Sequence, residues 1–195
     1  MSDKKHLDTR RLAMMALFAA LTYVVFTYLS IPVPTPDGKV SITLGNTFVV
    51  LGALLMGPSC GAAAGAIGLT LADLFDPVYI VEAPVTFLVK FLLGWIAGSI
   101  AWNIGHIDKE EDAAKIRRYA IIATVIALVF NTVADPGLRY IYKRVILGRT
   151  AAEVSFAINV AVTALNAAVS AVVTVVLYLA LRTALKKAGL LARLS

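Results

Sequence analysis

Long apolar blocks separated by short polar segments run the length of this chain, and each block predicts one helix. A helix of about 20 residues crosses the roughly 30 Å of hydrocarbon in a bilayer. The pattern therefore predicts an all-α integral membrane protein, with residues 1–195 forming a single domain of six transmembrane helices. The second and third blocks are short, which is typical of helices that line a site instead of facing lipid throughout. The predicted spans are residues 10–30, 41–56, 60–75, 84–104, 117–133 and 151–185.

The composition also indicates a membrane protein. Of the residues, 59% are hydrophobic and 15% are charged. Soluble domains are nearer half apolar and a quarter charged, and a soluble fold of this size lacks the interior to hide the excess. The single cysteine, Cys60, excludes an internal disulfide framework and a cysteine metal cluster.

The basic residues predict the orientation of the helices. Lysine and arginine concentrate at the predicted inner ends, including Lys4 and Lys5 before the first helix and Arg193 after the last. Cytoplasmic segments carry such an excess, so both termini are predicted to be cytoplasmic. Because these bases flank apolar blocks, the net charge of +6 reflects topology and does not indicate a nucleic-acid partner.

Two ionisable residues interrupt the apolar blocks near the outer side. Asp73 is near the outer end of the third helix, and Lys90 is about two turns below the outer end of the fourth. Adjacent antiparallel helices would bring them to a similar depth. Charge is costly in hydrocarbon and usually marks function. The sequence leaves two readings open, a structural ion pair or two groups that face a polar cavity.

Asparagines occur in or near the outer halves of the second, fifth and sixth helices. Amides at this depth can join helices through hydrogen bonds. They can equally bind a polar heterocycle, and the sequence does not decide between the two. The residues concerned are Asn46, Asn131, Asn159 and Asn166.

Small residues mark two surfaces. Ala13, Ala16 and Ala20 lie on one stripe of the first helix, and Gly61 and Gly65 lie in the third helix. Small side chains let helix backbones approach closely in lipid. For the third helix we predict a packing surface. For the first helix, packing within the chain and docking of another membrane protein are both open.

No motif indicates catalysis. The chain has no GxSxG, HExxH or phosphate-binding glycine-rich motif, and no set of metal ligands. We therefore predict no catalytic residue, no metal and no cofactor, and an intramembrane enzyme is the least favoured class. A stand-alone secondary permease or channel that uses Asp73 and Lys90 remains an alternative.

Several motifs, spread over essentially the whole chain, resemble those of one transporter family. They are Gly45-Asn46-Thr47-Phe48, Leu54-Leu55-Met56-Gly57-Pro58, Leu71-Ala72-Asp73-Leu74 and Ala83-Pro84-Val85-Thr86 with Lys90 and Gly94. In these the chain resembles the S components, the substrate-binding subunits of energy-coupling factor (ECF) vitamin transporters. The resemblance is to the branch with riboflavin, pyridoxine and hydroxymethylpyrimidine carriers. That family often has Asp where this chain has Asn46.

The resemblance implies a membrane subunit that captures a vitamin from outside and topples in the bilayer to deliver it. Its partners would be a transmembrane coupling subunit and two ATPase subunits, so ATP hydrolysis would occur in the partners and not in this chain. The protein would be a multi-pass protein of the bacterial plasma membrane. The family's first-helix alanines dock on the coupling subunit, which assigns that role to Ala13, Ala16 and Ala20.

The resemblance also implies a vitamin site near the outer side. In the family, helices 4 to 6 form the site, and the first and third outer loops cover it. Those loops correspond to residues 32–39 and 76–83. Together with the polar residues above, this predicts substrate contacts from Asn46, Asp73, Tyr79, Glu82, Lys90, Asn131 and Asn166.

Overall fold

A computed structural model describes residues 9–188 of the chain. Within that range the chain folds into six α-helices and one β-hairpin. Lys4, Lys5 and Arg193, which contribute to the predicted orientation, lie outside the described residues. The helices are α1 (Thr9–Tyr28), α2 (Gly45–Met56), α3 (Pro58–Leu74), α4 (Ala83–Ser99), α5 (Ala113–Ile141) and α6 (Ala152–Lys187).

Three shorter helical segments extend or connect these helices. A single 3-10 turn, Ile80–Glu82, leads into α4. Two π-helical segments, Ile100–Ile104 and Tyr142–Ile146, continue α4 and α5. Four helical stretches of the described chain are long and apolar enough to cross a membrane. They are Arg11–Tyr28, Ile80–Ile104, Ala113–Ile146 and Ala152–Lys187.

The second helix is too short to cross a bilayer at full thickness. It has 12 residues, about 18 Å of helix against roughly 30 Å of hydrocarbon. All of its residues except Phe48 are buried. The other helices therefore enclose α2, which explains why its sequence is apolar on every side. The described structure supports a mostly helical protein with four candidate membrane-spanning helices.

The proline-rich segment after α1 is a β-hairpin, so the fold is not purely α-helical. Strand β1 (Ile31–Thr35) pairs antiparallel with β2 (Gly38–Ile42), and a two-residue loop joins them. Pro32 and Pro34 alternate with the other residues of β1. In a two-stranded sheet each strand has a free edge, where the missing N–H of proline is tolerated. Pro32 and Pro34 are therefore compatible with strand β1.

The fifth helix continues beyond residue 133, where we predicted its end. It runs to Ile141 although Pro136 lies inside it, and the π-helical segment carries it on to Ile146. Most of the expected loop 134–150 is thus helical. The charged residues there are compatible with a helix because they pair with one another, as Asp135 and Arg139 do across one turn at 2.9 Å. Asp135, Arg139 and Lys143 also pair with buried residues of other elements, which hydropathy alone does not indicate.

Glycines in α3 and α4 set how closely the helices pack, as predicted for the third helix. A Cβ added to Gly61 would lie 2.3 Å from the Cα of Ala53 in α2. One added to Gly68 would lie 2.3 Å from the carbonyl oxygen of Ala19 in α1. Gly94 in α4 is equally close to α3, with a Cβ placed 2.6 Å from an α-carbon there. Backbone contact on three sides makes α3 the central packing element.

Candidate functional site

A small cavity lies at the hairpin end of the bundle, where the β-hairpin, the segment before α4 and all six helices meet. Its volume is about 60 Å³, room for a few water molecules. Apolar side chains from Phe26, Leu69 and Pro136 form part of the lining, and the remainder is mainly polar. The cavity brings together all the predicted substrate contacts except Asn131, namely Asn46, Asp73, Tyr79, Glu82, Lys90 and Asn166.

Lys90 is paired with α5 and not with Asp73. Its Nζ donates to Oδ1 of Asn131 at 2.8 Å and to Oδ2 of Asp135 at 3.3 Å. A buried ammonium is costly unless it is paired and hydrogen-bonded, and these two contacts meet that requirement. Asn131 therefore positions Lys90 from behind the cavity wall. The sequence left open whether Lys90 pairs with Asp73, and in the structure it pairs with Asp135 instead.

Asp73 lines the cavity. Oδ2 accepts a hydrogen bond from Oγ1 of Thr86, one turn into α4. Asp73 forms no ion pair with any described basic residue, although it is buried. Of the two readings of the sequence, a cavity-facing role describes Asp73 and a structural ion pair does not.

Arg139 is the main cavity residue that sequence reasoning missed. Its Nη1 donates to Oε2 of Glu82 at 2.5 Å, its Nε to Oδ1 of Asp135 at 2.9 Å, and its Nη2 to Oγ1 of Thr86 at 2.7 Å. A guanidinium has several donors in a fixed plane, so it can hold three partners at once. Arg139 was missed because its segment was predicted as a loop. The four-residue spacing of Asp135 and Arg139, which is typical of an ion pair along a helix, could have indicated that this segment is helical.

A second base joins the cavity to the hairpin. Nζ of Lys143 contacts Oε1 of Glu82 at 2.9 Å and Oδ2 of Asp37 at 3.1 Å. Asp37 is at the tip of the hairpin and also contacts Arg149 at 3.2 Å. We refer to these contacts as the buried ion network. Its members are Asp37, Glu82, Lys90, Asp135, Arg139, Lys143 and, at its exposed edge, Arg149.

Tyr79 and Asn166 hold the hairpin on the bundle. The hydroxyl of Tyr79 hydrogen-bonds that of Ser41 at 3.0 Å. The amide of Asn166 donates to the carbonyl of Ser41 at 2.9 Å and accepts from the backbone N–H of Thr43 at 3.0 Å. Burial raises the pKa of Tyr79 to about 12, so its hydroxyl stays neutral and available as a donor. Both residues therefore fix strand β2 over the cavity.

A salt bridge at the surface joins the hairpin to the loop after α3. Nζ of Lys39 lies 2.7 Å from Oδ2 of Asp76. Burial alone would raise the pKa of Asp76, but hydrogen bonds from Lys39 and from the backbone N–H of Val78 outweigh it and lower that pKa. The two segments that cover the cavity are therefore tied to each other as well as to the helices.

The alanine stripe of α1 lies on the surface. Ala13, Ala16 and Ala20 are exposed. The opposite face of α1 is buried and carries Phe18 and Thr22. The stripe therefore does not pack within the described chain, which leaves it free to contact lipid or another protein. Within residues 9–188, no group of three or more His, Cys, Asp or Glu side chains is placed to hold a metal ion.

Comparison with known proteins relates the chain to one family. Residues 6–183 match the family described as "ECF-type riboflavin transporter, S component". A solved structure, described as "Structure and mechanism of the S component of a bacterial ECF transporter", is similar with a TM-score of 0.60 and 21% sequence identity. The alignment covers 91% of this chain and 98% of that chain. At this identity the structural match bears on the fold alone. No curated protein sequence matches.

Proposed function

Because the chain belongs to the family of ECF-type riboflavin transporter S components, we propose that it captures a small water-soluble vitamin or vitamin precursor from outside the cell. The candidate ligands are riboflavin, pyridoxine and hydroxymethylpyrimidine-like molecules. The observation that carries the proposal is the cavity at the hairpin end, whose lining combines some apolar side chains with many convergent polar groups. Convergent polar groups beside apolar surface can orient a small organic ligand.

The cavity must widen to admit such a ligand. Ligand pockets usually measure about 300–1,000 Å³, several times the observed volume of about 60 Å³. On the cavity side, the hairpin and residues 76–83 are the two segments that lie outside the long α-helices. We infer that these two segments are lids that move apart for entry and close over the ligand. Their mutual salt bridge, Lys39–Asp76 at 2.7 Å, supports a shared closed position.

The proposed arrangement in the membrane has six crossings with both termini in the cytoplasm. The hairpin end would then face outward, where a vitamin is captured. Helix α2 would cross enclosed by the other helices, and α3 would cross with Ile67, Leu71 and Leu74 exposed to lipid. The bacterial plasma membrane is the proposed location, in keeping with the bacterial origin of the similar solved structure.

Delivery of the vitamin is proposed to need partners. The exposed stripe Ala13, Ala16 and Ala20 is smooth enough for a helix of a transmembrane coupling subunit to approach closely. Two ATPase subunits would supply ATP hydrolysis, and the chain itself would not be an enzyme. Docking would allow the bundle to topple, so that the hairpin end reaches the inner side and releases the vitamin.

Two measurements test this function. The purified protein is titrated calorimetrically with riboflavin, pyridoxine and hydroxymethylpyrimidine, and micromolar or tighter binding of one of them is expected. Tagged protein is also co-expressed with a coupling subunit and two ATPases, and we expect all four to co-purify. Failure of every titration would overturn the ligand proposal, and failure to co-purify would overturn the ECF assembly.

A third measurement distinguishes the stand-alone permease. Liposomes that contain this chain alone are expected to take up no vitamin, with or without ATP. Uptake by such liposomes, lost in Asp73→Asn, would instead favour a permease that uses Asp73 and Lys90.

A further inference from the structure

Asp73 differs from the other carboxylates that line the cavity because no basic side chain forms a direct ion pair with it. Glu82 and Asp135 each form an ion pair with Arg139. Asp73 is 2% exposed, and its side-chain partner is the hydroxyl of Thr86. No nitrogen of a described basic side chain lies within 4.0 Å of its carboxylate oxygens. The cavity thus contains a buried acceptor whose bonding capacity is largely unused.

A second residue with unused capacity lines the same cavity. Asn46, at the start of α2, is 5% exposed. Its side-chain amide makes no hydrogen bond to any other described residue. Buried amides are normally hydrogen-bonded, so the side chain of Asn46 offers a donor and an acceptor to whatever enters the cavity.

These two side chains line the same cavity from two helices that pack together. A Cβ added to Gly45 would lie 3.0 Å from a methyl carbon of Leu69, so the start of α2 lies against that part of α3. Leu69 and Asp73 are four residues apart and share one face of α3. Both line the cavity. Asn46 and Asp73 therefore reach the same cavity from two packed helices.

We propose that the ligand is an aromatic nitrogen heterocycle with an exocyclic amino group, which donates to the carboxylate of Asp73. A ring nitrogen or hydroxyl of the same ligand pairs with the amide of Asn46. A carboxylate only accepts, so it selects an edge rich in donors, whereas an amide adapts to either kind of neighbour. The inference rests on the proposed vitamin-binding function and narrows its ligand to one chemical class.

The same geometry disfavours an imide edge such as that of riboflavin. An imide places carbonyl oxygens on both sides of its single N–H. Opposite Asp73, at least one of those oxygens would face the carboxylate, and the repulsion would offset the one hydrogen bond. A hydrogen bond to a charged group contributes roughly tenfold or more to affinity. An amino group in that position is therefore expected to decide which vitamin binds.

The test compares ligands that differ at the amino group. Full-length protein in detergent is titrated calorimetrically with 4-amino-5-hydroxymethyl-2-methylpyrimidine, with its 4-oxo counterpart, and with riboflavin. We expect the amino compound to bind at least about tenfold more tightly than the other two. Equal or tighter binding of the oxo compound or of riboflavin would overturn the inference and leave the vitamin-binding function standing. If none of the three binds, this inference is overturned, and the titration with pyridoxine decides whether the vitamin-binding function stands.

A variant assigns the preference to one residue. In Asp73→Asn, the amino compound is expected to lose at least about tenfold in affinity, and the ratio of amino to oxo affinity should approach one. Glu153→Gln is the matched control, since Glu153 is an exposed acid 3.5 Å from Arg144, and it should keep the preference. Full preference in a folded Asp73→Asn protein would contradict the role of Asp73. The comparison of ligands on the unmodified protein does not depend on the variant folding.

Discussion

Asp37, at the tip of the β-hairpin, and Glu82, in the 3-10 turn before α4, share one buried ammonium group. Nζ of Lys143 contacts the first carboxylate at 3.1 Å and the second at 2.9 Å. Glu82 also holds Arg139, which lines the cavity. The position of the hairpin is therefore linked by direct contacts to the residues that would meet a ligand. In the proposed function, Lys143 would hold both lids, the hairpin and residues 76–83, in the closed position.

Replacing Lys143 should lower the free energy of unfolding of the protein in its closed form. In Lys143→Met two buried carboxylates lose a cation, which typically costs about 3 kcal/mol or more. We expect a lower thermal unfolding temperature and a faster release of bound ligand in stopped-flow measurements. Arg144→Met is the control, because Arg144 is the next residue and its side chain is 43% exposed. Equal effects of the two substitutions would contradict the assignment.

Arg139 should be sensitive even to a conservative change. Arg139→Lys keeps the charge, but one ammonium group cannot reproduce the fixed geometry that holds Glu82, Asp135 and Thr86. We expect ligand affinity to fall by about tenfold or more in calorimetric titration. Arg118→Lys, at an exposed position of α5, should leave affinity unchanged. An unaltered affinity in Arg139→Lys would show that the guanidinium geometry is not needed.

Two glycine substitutions should have opposite effects on stability. In Gly61→Ala the new Cβ would lie 2.3 Å from the Cα of Ala53, so α2 and α3 must move apart, at a cost of about 1–3 kcal/mol. In Gly137→Ala the new Cβ meets nothing within 4 Å. Alanine is favoured over glycine inside a helix by about 1 kcal/mol, so this variant should be slightly more stable. Thermal unfolding in detergent measures both.

The alanine stripe should affect assembly without affecting ligand binding. Ala16→Leu adds bulk to an exposed face, where it would block the close approach of a partner helix. We expect co-purification with the coupling subunit and vitamin uptake to be lost, while the affinity of the isolated protein stays the same. Val172→Leu, at a position of α6 that is 66% exposed, is the control and should change neither. A parallel loss of affinity in Ala16→Leu would point to a role inside the chain.

Acid should loosen the contact between the two proposed lids. The pKa of Asp76 is lowered in the folded protein, so its carboxylate stabilises the fold above its ordinary pKa of about 3.9. That contribution is lost as the pH falls from this value through the lower folded one. We therefore expect hydrogen exchange of hairpin amides to increase below about pH 4. Asp76→Asn should remove this pH dependence, and an unchanged profile would contradict the mechanism.

Much of the fold could be predicted because each helix corresponds to one apolar block in the sequence. The polar residues near the hairpin end were also predictable as a group, since charge in apolar surroundings is costly. Six of the predicted contacts do line one cavity, and Asn131 lies directly behind it. The pairing of these residues was not predictable. Whether Lys90 meets Asp73 or Asp135 depends on the rotation of helices about their axes, which uniformly apolar segments do not encode.

The segment after residue 133 shows a second limit. Asp135, Arg139 and Lys143 have the composition of a polar loop, and Pro136 reinforces that impression. In the structure these charges recur every four residues along α5 and its π-helical extension, and they face the hairpin and α4. Local composition cannot distinguish charge that faces water from charge that faces opposite charge.

The buried ion network also has a consequence for energetics across the membrane. The three acids of the network and the nearby Asp73 together match in number its four bases, Lys90, Arg139, Lys143 and Arg149. Moving one uncompensated charge through a potential of 100 mV takes about 2.3 kcal/mol of electrical work. A balanced cluster takes almost none, so the proposed rotation of this end of the bundle would neither be driven nor opposed by the membrane voltage. Any voltage dependence that arises at this end of the bundle would then come from the charge of the vitamin itself.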